Sequence, residues 1–399
     1  MSSEATTHLK EEKMKLVAVT LYPSKKAGSA VYSYKLYQEV AKHCEVVIFA
    51  DEDAGKKNTI RVVNVWRRNS FWAPFRLFEQ ILKEKPQACH FQIEYRTFSD
   101  SAASASIQML LLLLFMIPSS VRMFVTLHGV ISLDVAKEFY GKRTGAIISK
   151  VPSKIFYKML GIFVEKIIVH TYIMKAILQQ EYKVSKDRII VIPHGVDRAR
   201  RLYNKGESGR FNLLFHGFIR PSKGLECLLK AMREVVRVYS ETRLIIAGGT
   251  PHQEKKNFYI DELEKKIRSL QLENQVRIIK GFLTEHELEK LILGSDILVF
   301  PYTDNFAEAS GALARIMDYE RPIICTRTPR FIGDLEDTGD CMMTPPCNDK
   351  KLAEAIVDLI RDKNLRERLK TNLKKKATER YWDVLAIKYT RLFGGGTWT

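Results

Sequence analysis

Two α/β domains in series, each a parallel sheet with helices on both faces, is the fold class the sequence predicts. Three observations carry it. The chain has 399 residues, too many for one ordinary core and enough for two domains of about 150–200 residues. Short apolar, β-branched runs alternate with helical patterns along the first half. The same alternation then restarts near residue 212. Buried strands alternating with helices imply a parallel sheet, because a helical crossover is what returns the chain in the same direction.

In the first half, strands are expected at residues 15–21, 45–49, 62–65, 90–93, 122–127, 166–169 and 188–192, with a helix over 30–43. In the second half, strands at 212–215, 243–247, 276–279, 297–300 and 322–326 are separated by helices over 225–239, 260–269, 285–293 and 311–319. Residues 350–393 read as helical and charged. Segment 197–209 is charged, holds two glycines and shows no apolar period, so it reads as a linker. The expected units are therefore a first domain over 1–197, a second over 198–380, and a terminal helix with a flexible tail over 381–399. The most apolar run, residues 109–117, spans about half of the ~20 residues a membrane helix requires, and Pro118 ends it. It is expected to be a buried helix of the first domain.

Hydrophobic residues make up 46% and charged residues 28%, the balance of a soluble globular chain. Residues 1–13 are polar and lack the apolar stretch of a secretory signal, so the expected location is cytoplasmic. None of the six cysteines forms a C-x-x-C pair or sits near His at metal spacing. Reduced thiols are expected, with Cys341 and Cys347 the one pair close enough in sequence to join. The net charge of +18 is uneven: residues 1–200 carry 30 Lys and Arg against 18 Asp and Glu, the remainder 34 against 28. A basic first half points to an anionic partner such as a membrane surface. Residues 142–158 interleave Lys142, Arg143, Lys150, Lys154 and Lys158 with Ile147, Val151, Ile155 and Phe156, as an interfacial helix would. A nucleic-acid partner is not expected, since the basic residues lack the interleaved aromatics of a known module.

Parallel sheets bind ligands at the carboxyl ends of their strands, so candidate residues follow strands. After the first strand, Gly28 and Ser29 open a helix whose N–H groups suit a phosphate or sugar. No G-x-G-x-x-G is present, which disfavours a dinucleotide. His128 and Gly129 end the strand over 122–127, where His128 is placed to meet a sugar hydroxyl or developing charge. Pro193 to Asp197 reads as an interdomain turn. Residues 215–225, F-H-G-F-I-R-P-S-K-G-L, set Arg220 and Lys223 among Gly217 and Gly224, a combination suited to a pyrophosphate. After the strand over 297–300, Glu308 precedes Ser310, Gly311, Ala312 and Leu313, which open a helix with free N–H groups. No metal is implied, because no Asp-x-Asp is read at a strand end to hold Mg²⁺ against a diphosphate.

These pieces in this order resemble the GT-B glycosyltransferases, and within them the retaining family 4, from Lys15 to about Phe393. The motifs that carry the resemblance are T-L-H-G, P-H-G-V-D, F-H-G-F-I-R-P-S-K-G-L followed by L-L-K-A-M, and D-I-L-V-F-P-Y followed by S-G-A-L and R-P-I-I-C-T. The resemblance implies two Rossmann-like, doubly wound domains facing each other across a cleft. It implies transfer of a hexose from a nucleotide-sugar, UDP- or GDP-linked, to an acceptor hydroxyl with retention of configuration, without a metal or other cofactor. The acceptor would be a glycan, a lipid-linked sugar or a small molecule. By position, Gly28 and Ser29 look like the glycine loop facing donor and acceptor. His128 looks like the histidine contacting the transferred sugar, and Lys223 like the lysine on the pyrophosphate. Gly281 and Phe282 look like the base-packing residues, and Glu308 like the first carboxylate of E-x7-E. Gly311, Ala312 and Leu313 look like the phosphate-binding amides. The pattern departs at three places. Ile316 stands where the second Glu belongs, with Arg315 beside it. Phe218 replaces the arginine of G-R-L, with Arg220 nearby. The glycine loop is Gly28-Ser29 rather than two glycines. A non-catalytic binder of nucleotide-sugar or glycan, or a GT-B epimerase, would share these features.

Overall fold

The computed structural model describes residues 13–23, 28–55, 59–94, 97–136, 151–200, 210–250 and 258–396. The first lobe is built on strands β1 (Lys15–Val19), β2 (Glu45–Asp51), β3 (Arg61–Trp66), β4 (Ala88–Ile93), β5 (Arg122–Leu127), β6 (Gly129–Val130), β7 (Lys166–Val169) and β8 (Ile189–Val191). Seven of them form one parallel sheet in the order β3-β2-β1-β4-β5-β7-β8. Helices α1 (Gly28–Val40), α2 (Ala73–Glu84), α3 (Ala102–Met116), α4 (Val151–Phe163) and α5 (Tyr172–Gln180) link them. Strand alternation explains why one sheet has two cores. Val17 and Val19 of β1 pack with Leu77 of α2 and Met109 of α3, while Leu16 and Ala18 pack on the opposite face with Leu36 of α1.

The second lobe repeats the plan with β9 (Asn212–His216), β10 (Arg243–Gly248), β11 (Val276–Lys280), β12 (Ile297–Phe300), β13 (Ala307–Glu308), β14 (Ile323–Thr326) and β15 (Met342–Thr344). Its six-stranded parallel sheet runs β11-β10-β9-β12-β14-β15. Helices α6 (Leu225–Val238), α7 (Phe258–Ser269), α8 (Glu285–Leu293), α9 (Gly311–Ala314), α10 (Asp349–Arg361) and α11 (Lys363–Thr378) complete it. In both sheets the strand order reverses once, between β1 and β4 and between β9 and β12. Such reversals open crevices at the carboxyl ends.

The last helix, α12 (Trp382–Phe393), returns to the first lobe, where Leu385, Tyr389 and Phe393 join the core around α1. The two crossings run side by side. Val196 N–H donates to Arg380 O at 2.8 Å, and Trp382 Nε1 donates to Asp197 Oδ1 at 2.8 Å. A Cβ on Gly195 would sit 2.4 Å from the Trp382 ring, so the turn requires glycine there. A third link crosses the cleft itself: β13 pairs antiparallel with β6, Glu308 opposite Gly129.

Three expectations are corrected. The run over 109–117 is not buried all round: Met109, Leu112, Leu113 and Met116 face the core, while Leu114, Phe115 and Ile117 are exposed. The cysteines are free thiols, as expected, with Cys341 Sγ 3.6 Å from Cys325 Sγ and Cys347 exposed. The helix expected over 311–319 stops at Ala314 and resumes as a 3₁₀ turn, Met317–Tyr319. The cause is Asp318, which is buried and accepts from Ala199 N–H at 2.7 Å and Tyr381 Oη at 2.6 Å while pairing with Lys374 at 2.7 Å. Those three partners pull the chain out of helical register. An Asp-x-Asp does end a strand, Asp51 and Asp53 at β2, but it belongs to the first lobe and is not among the charges that act on Lys223. Most of the expected linker (201–209) and of the interfacial segment (142–150) lies outside the described residues.

Candidate active site

The second lobe supplies a cationic cluster. The turn after β9 needs Gly224 at φ +66°, because a Cβ there would stand 1.9 Å from Pro301 O. That close approach, with Thr303 N–H donating to Ser222 O at 3.0 Å, ties the turn after β9 to the loop after β12. Lys223 is thereby held inside, only 5% exposed, with Nζ 3.4 Å from the centroid of the Tyr302 ring. Burial first, then the nearby Arg330, holds its pKa well below the ordinary lysine value, against the pull of Asp304. No carboxylate lies within ion-pair distance of Lys223 among the described residues. Arg220 approaches Asp304 at 3.8 Å. Arg330, 3% exposed, donates to Asp304 Oδ1 at 3.0 Å and pairs with Glu308. Burial opposes its charge, but Glu308 and Asp304 outweigh it and raise its pKa. Arg220 Nε, Asp304 Oδ2 and Arg330 Nε are buried with no hydrogen-bond partner among the described residues.

Beside this cluster, Ser310 caps α9 by accepting from Leu313 N–H at 3.2 Å. The Leu313 amide expected to serve a phosphate is therefore already engaged. Gly311 comes near the first lobe: a Cβ on it would lie 3.8 Å from His194 Nε2. Ile316 is buried in the core and presents nothing to a ligand, while Arg315 pairs with Glu285 at 2.6 Å. Gly217, at φ +149°, touches Gly248 so closely that a Cβ on Gly248 would stand 1.8 Å from Gly217 O. Next to that contact, Gly249 faces the Phe282 ring, and Phe282 meets Phe218 edge-on at 6.0 Å, both half-exposed. Gly281, at φ +108°, donates its N–H to Gly248 O at 3.0 Å and positions that ring.

The first lobe closes the cleft. The β6–β13 pairing sets Gly129, the residue after His128, opposite Glu308. His128 is neutral: burial first, then His170, His194 and His90, push its pKa well below the ordinary value. Nε2 donates to Gln92 Oε1 at 2.8 Å. Nδ1 lies 3.3 Å from His170 Nε2, but His170 donates through Nδ1 to Ile192 O, so two lone-pair nitrogens face each other there and Nδ1 of His128 remains an acceptor for a sugar hydroxyl. Tyr32 packs among His128, His170, His194 and Trp382 with ring centroids 4.8–5.1 Å away. The N-terminus of α1 is not open to a phosphate at Ser29, whose N–H donates to Glu94 Oε1 at 3.0 Å.

Two family models match this chain consecutively. Glycosyltransferase Family 4 matches residues 27–200, and Glycosyl transferases group 1 matches residues 202–376. The chain belongs to the GT-B glycosyltransferases. Among curated relatives, α-D-kanosaminyltransferase of Streptomyces kanamyceticus is 26% identical over 44% of this chain and 43% of its own length. An uncharacterized glycosyltransferase of Methanocaldococcus jannaschii is 26% identical over 67% of this chain and 70% of its own. The match spans less than half the length of the first of these relatives. Two solved structures share the fold. HepE of Anabaena, in complex with UDP, has a TM-score of 0.74 at 14% identity, covering 96% of this chain and 100% of that one. Sucrose-phosphate synthase of Thermosynechococcus elongatus has a TM-score of 0.72 at 16% identity, covering 96% and 99%.

In this glycosyltransferase, sequence reasoning missed three residues. Arg330 lies four positions beyond β14, and Glu94 one beyond β4. Both obey the rule that ligand-facing residues follow strands. His170 follows β7 in the same way and supports His128. No spacing motif marks any of them.

Proposed function

We propose that this glycosyltransferase moves a hexose from a UDP- or GDP-hexose to an acceptor hydroxyl with retention of configuration. The observation that carries the reading is Lys223, a buried cation just before α6 with no carboxylate within ion-pair distance among the described residues. In this reading Lys223 and Arg220 meet the donor diphosphate, with Gly311 and Ala312 N–H beside them. Gly217 allows its close approach, and Gly281 and Phe282 hold the base. Glu308, aligned by Arg330, receives sugar hydroxyls, and His128 flanks the sugar carbon. The bond from the sugar carbon to the diphosphate oxygen breaks. The bond to the acceptor oxygen forms, and the acceptor proton passes to the departing diphosphate. Preorganised cations stabilise the leaving group's growing charge. The unsatisfied atoms of Arg220, Asp304 and Arg330 support a polar ligand at this place. HepE, solved in complex with UDP-glucose, supports the donor class. Purified protein incubated with UDP-glucose and GDP-mannose is expected to release the nucleoside diphosphate. NMR of the first product is expected to show the donor's anomeric configuration. Release with inverted product refutes retention, and no release from any nucleotide-sugar refutes the reading.

A second reading concerns an anionic membrane surface, without a metal or nucleic acid. No helix among the described residues is long and apolar enough to cross a membrane. The first lobe exposes Phe71 (71%) and Trp72 (62%) at the start of α2, with Phe75 on its first turn. Helix α4 exposes Val151, Ile155 and Ile162 beside Lys154 and Lys158. Aromatic and basic groups together suit the interface. Vesicles containing anionic lipid are expected to cosediment the protein at low salt, and Phe71→Ala with Trp72→Ala to reduce this several-fold. No cosedimentation at low salt removes the idea.

A further inference from the structure

A short chain of contacts joins the cationic cluster to the ring assigned to the base. At one end, Lys223 Nζ stands over the Tyr302 ring. A Cβ on Gly217 would lie 3.4 Å from Tyr302 Oη and 3.9 Å from Ala312 Cβ, so Gly217 comes next. Gly248 touches Gly217, and Gly249 faces the Phe282 ring at the other end. A nucleoside diphosphate bound along this line has its ribose between the two ends, because ribose is what joins base to diphosphate. Two vicinal hydroxyls then arrive beside the end of β9.

An ion pair stands at that place. Glu285, the first residue of α8, follows Phe282 by three positions, and Arg315 caps the C-terminus of α9. Arg315 Nη2 donates to Glu285 Oε1 at 2.6 Å. Both charges act on His216, the residue before Gly217. Burial first, then Arg315, lowers its pKa to about 4, and Glu285 opposes them. Arg315 Nε and His216 Nδ1 are buried with no hydrogen-bond partner among the described residues. Buried polar atoms in that state call for a ligand or a water.

Glu285 also differs from the acidic residues next to it. Glu287 is engaged in the capping box with Thr284. Glu289 is buried and accepts from Tyr319 Oη at 3.3 Å. The Glu285 side chain is 74% exposed and holds Arg315 through one oxygen. A carboxylate accepts about four hydrogen bonds, and a vicinal diol donates two. A guanidinium fixing one side of the carboxylate leaves the other side aimed and charged, which strengthens each bond it accepts.

We propose that Glu285, aligned by Arg315, binds the ribose hydroxyls of the donor and thereby selects ribonucleotides. This rests on the nucleotide-sugar reading, with Arg315 as the positioning residue.

Calorimetric titration of the full chain with UDP, GDP and their 2′-deoxy forms tests it. The ribonucleotide that binds is expected to do so about tenfold more tightly than its deoxy form, the size of one hydrogen bond to a charged group. Glu285→Ala removes an exposed side chain and is expected to cut that ratio below about threefold. It does so by weakening the ribonucleotide alone. The deoxy form is expected to bind as before or more tightly, since a negative charge near the diphosphate is gone. A residue that merely packs would weaken both forms alike. Arg315→Ala is expected to lower the ratio too, and Arg315→Lys to restore part of it. A ratio near one in the wild type, or a ratio that survives Glu285→Ala, overturns the proposal. Failure of the donor reading looks different: none of the four nucleotides would bind, and both readings would fall together.

Discussion

Lys223→Ala is expected to lower kcat/KM for sugar transfer by about 10²–10³-fold, the range seen when one preorganised charge-stabilising group is removed. The same variant is expected to melt at or above the wild-type temperature. The two outcomes together are what separate this lysine from a structural one. Its ammonium is buried against Tyr302, with Arg330 nearby and no carboxylate within ion-pair distance among the described residues. Holding it there costs stability in the ligand-free protein, because desolvation is not repaid by a partner. The sign of the pH dependence follows. The folded-state pKa lies below the ordinary 10.5. Between those two values the unfolded chain binds more protons than the folded one, so stability rises with pH through that window. The wild type is expected to show this alkaline rise and Lys223→Ala to lose it. A bound nucleoside diphosphate supplies the missing anion, so its stabilising effect in thermal shift is expected to fall sharply in the variant. A variant that melts many degrees lower, with its nucleotide response intact, would make Lys223 a packing residue.

How much of this was legible in the sequence depends on what each feature is made of. Central parallel strands are buried on both faces, so 167–169 and 297–300 appear as unbroken apolar runs, and the strands over 166–169 and 297–300 are placed to the residue. The helix over 285–293 is also placed to the residue, and in the structure Thr284 and Glu287 form the capping box that fixes its start. Lys223 and Glu308 are legible because glycines and strand ends surround them. The β6–β13 pair is not legible. Two residues carry no period, and they become strands only because the lobes meet. The break at Ala314 is also tertiary, set by three partners of Asp318 far away in the chain. Glu94 and Arg330 are single charged residues in ordinary loops, and their burial is a property of the fold. Ile316 stands where the resemblance implies a second carboxylate, and its side chain is buried in the core, so that position offers no carboxylate to a ligand.

Arg330→Ala is expected to be the most damaging substitution to stability in the cleft. The guanidinium is almost wholly buried, and it is what Asp304 and Glu308 share. Removing it leaves two carboxylates together, one of them 5% exposed at its side chain. Breaking a buried pair costs about 3–5 kcal/mol, since the remaining charge stays desolvated. For a lobe of this size that corresponds to a melting point lower by roughly 6–20 °C. The cost belongs to the stranded charges more than to a lost attraction, and this makes the effect non-additive. Arg330→Ala with Asp304→Asn is therefore expected to melt above Arg330→Ala alone, although it carries one more substitution. Arg330→Lys keeps the charge but not the planar fork that reaches both carboxylates, so it is expected to lie between wild type and alanine. Activity should separate from stability in the lysine variant. At a temperature where it is fully folded, Glu308 has lost its alignment, and kcat is expected to fall while nucleoside diphosphate affinity, set by Lys223, holds. If the double variant instead melts below the single one, the network is held by direct attraction. Arg330 would then act as a clamp between two strand ends rather than as the counter-charge that lets Glu308 face a sugar.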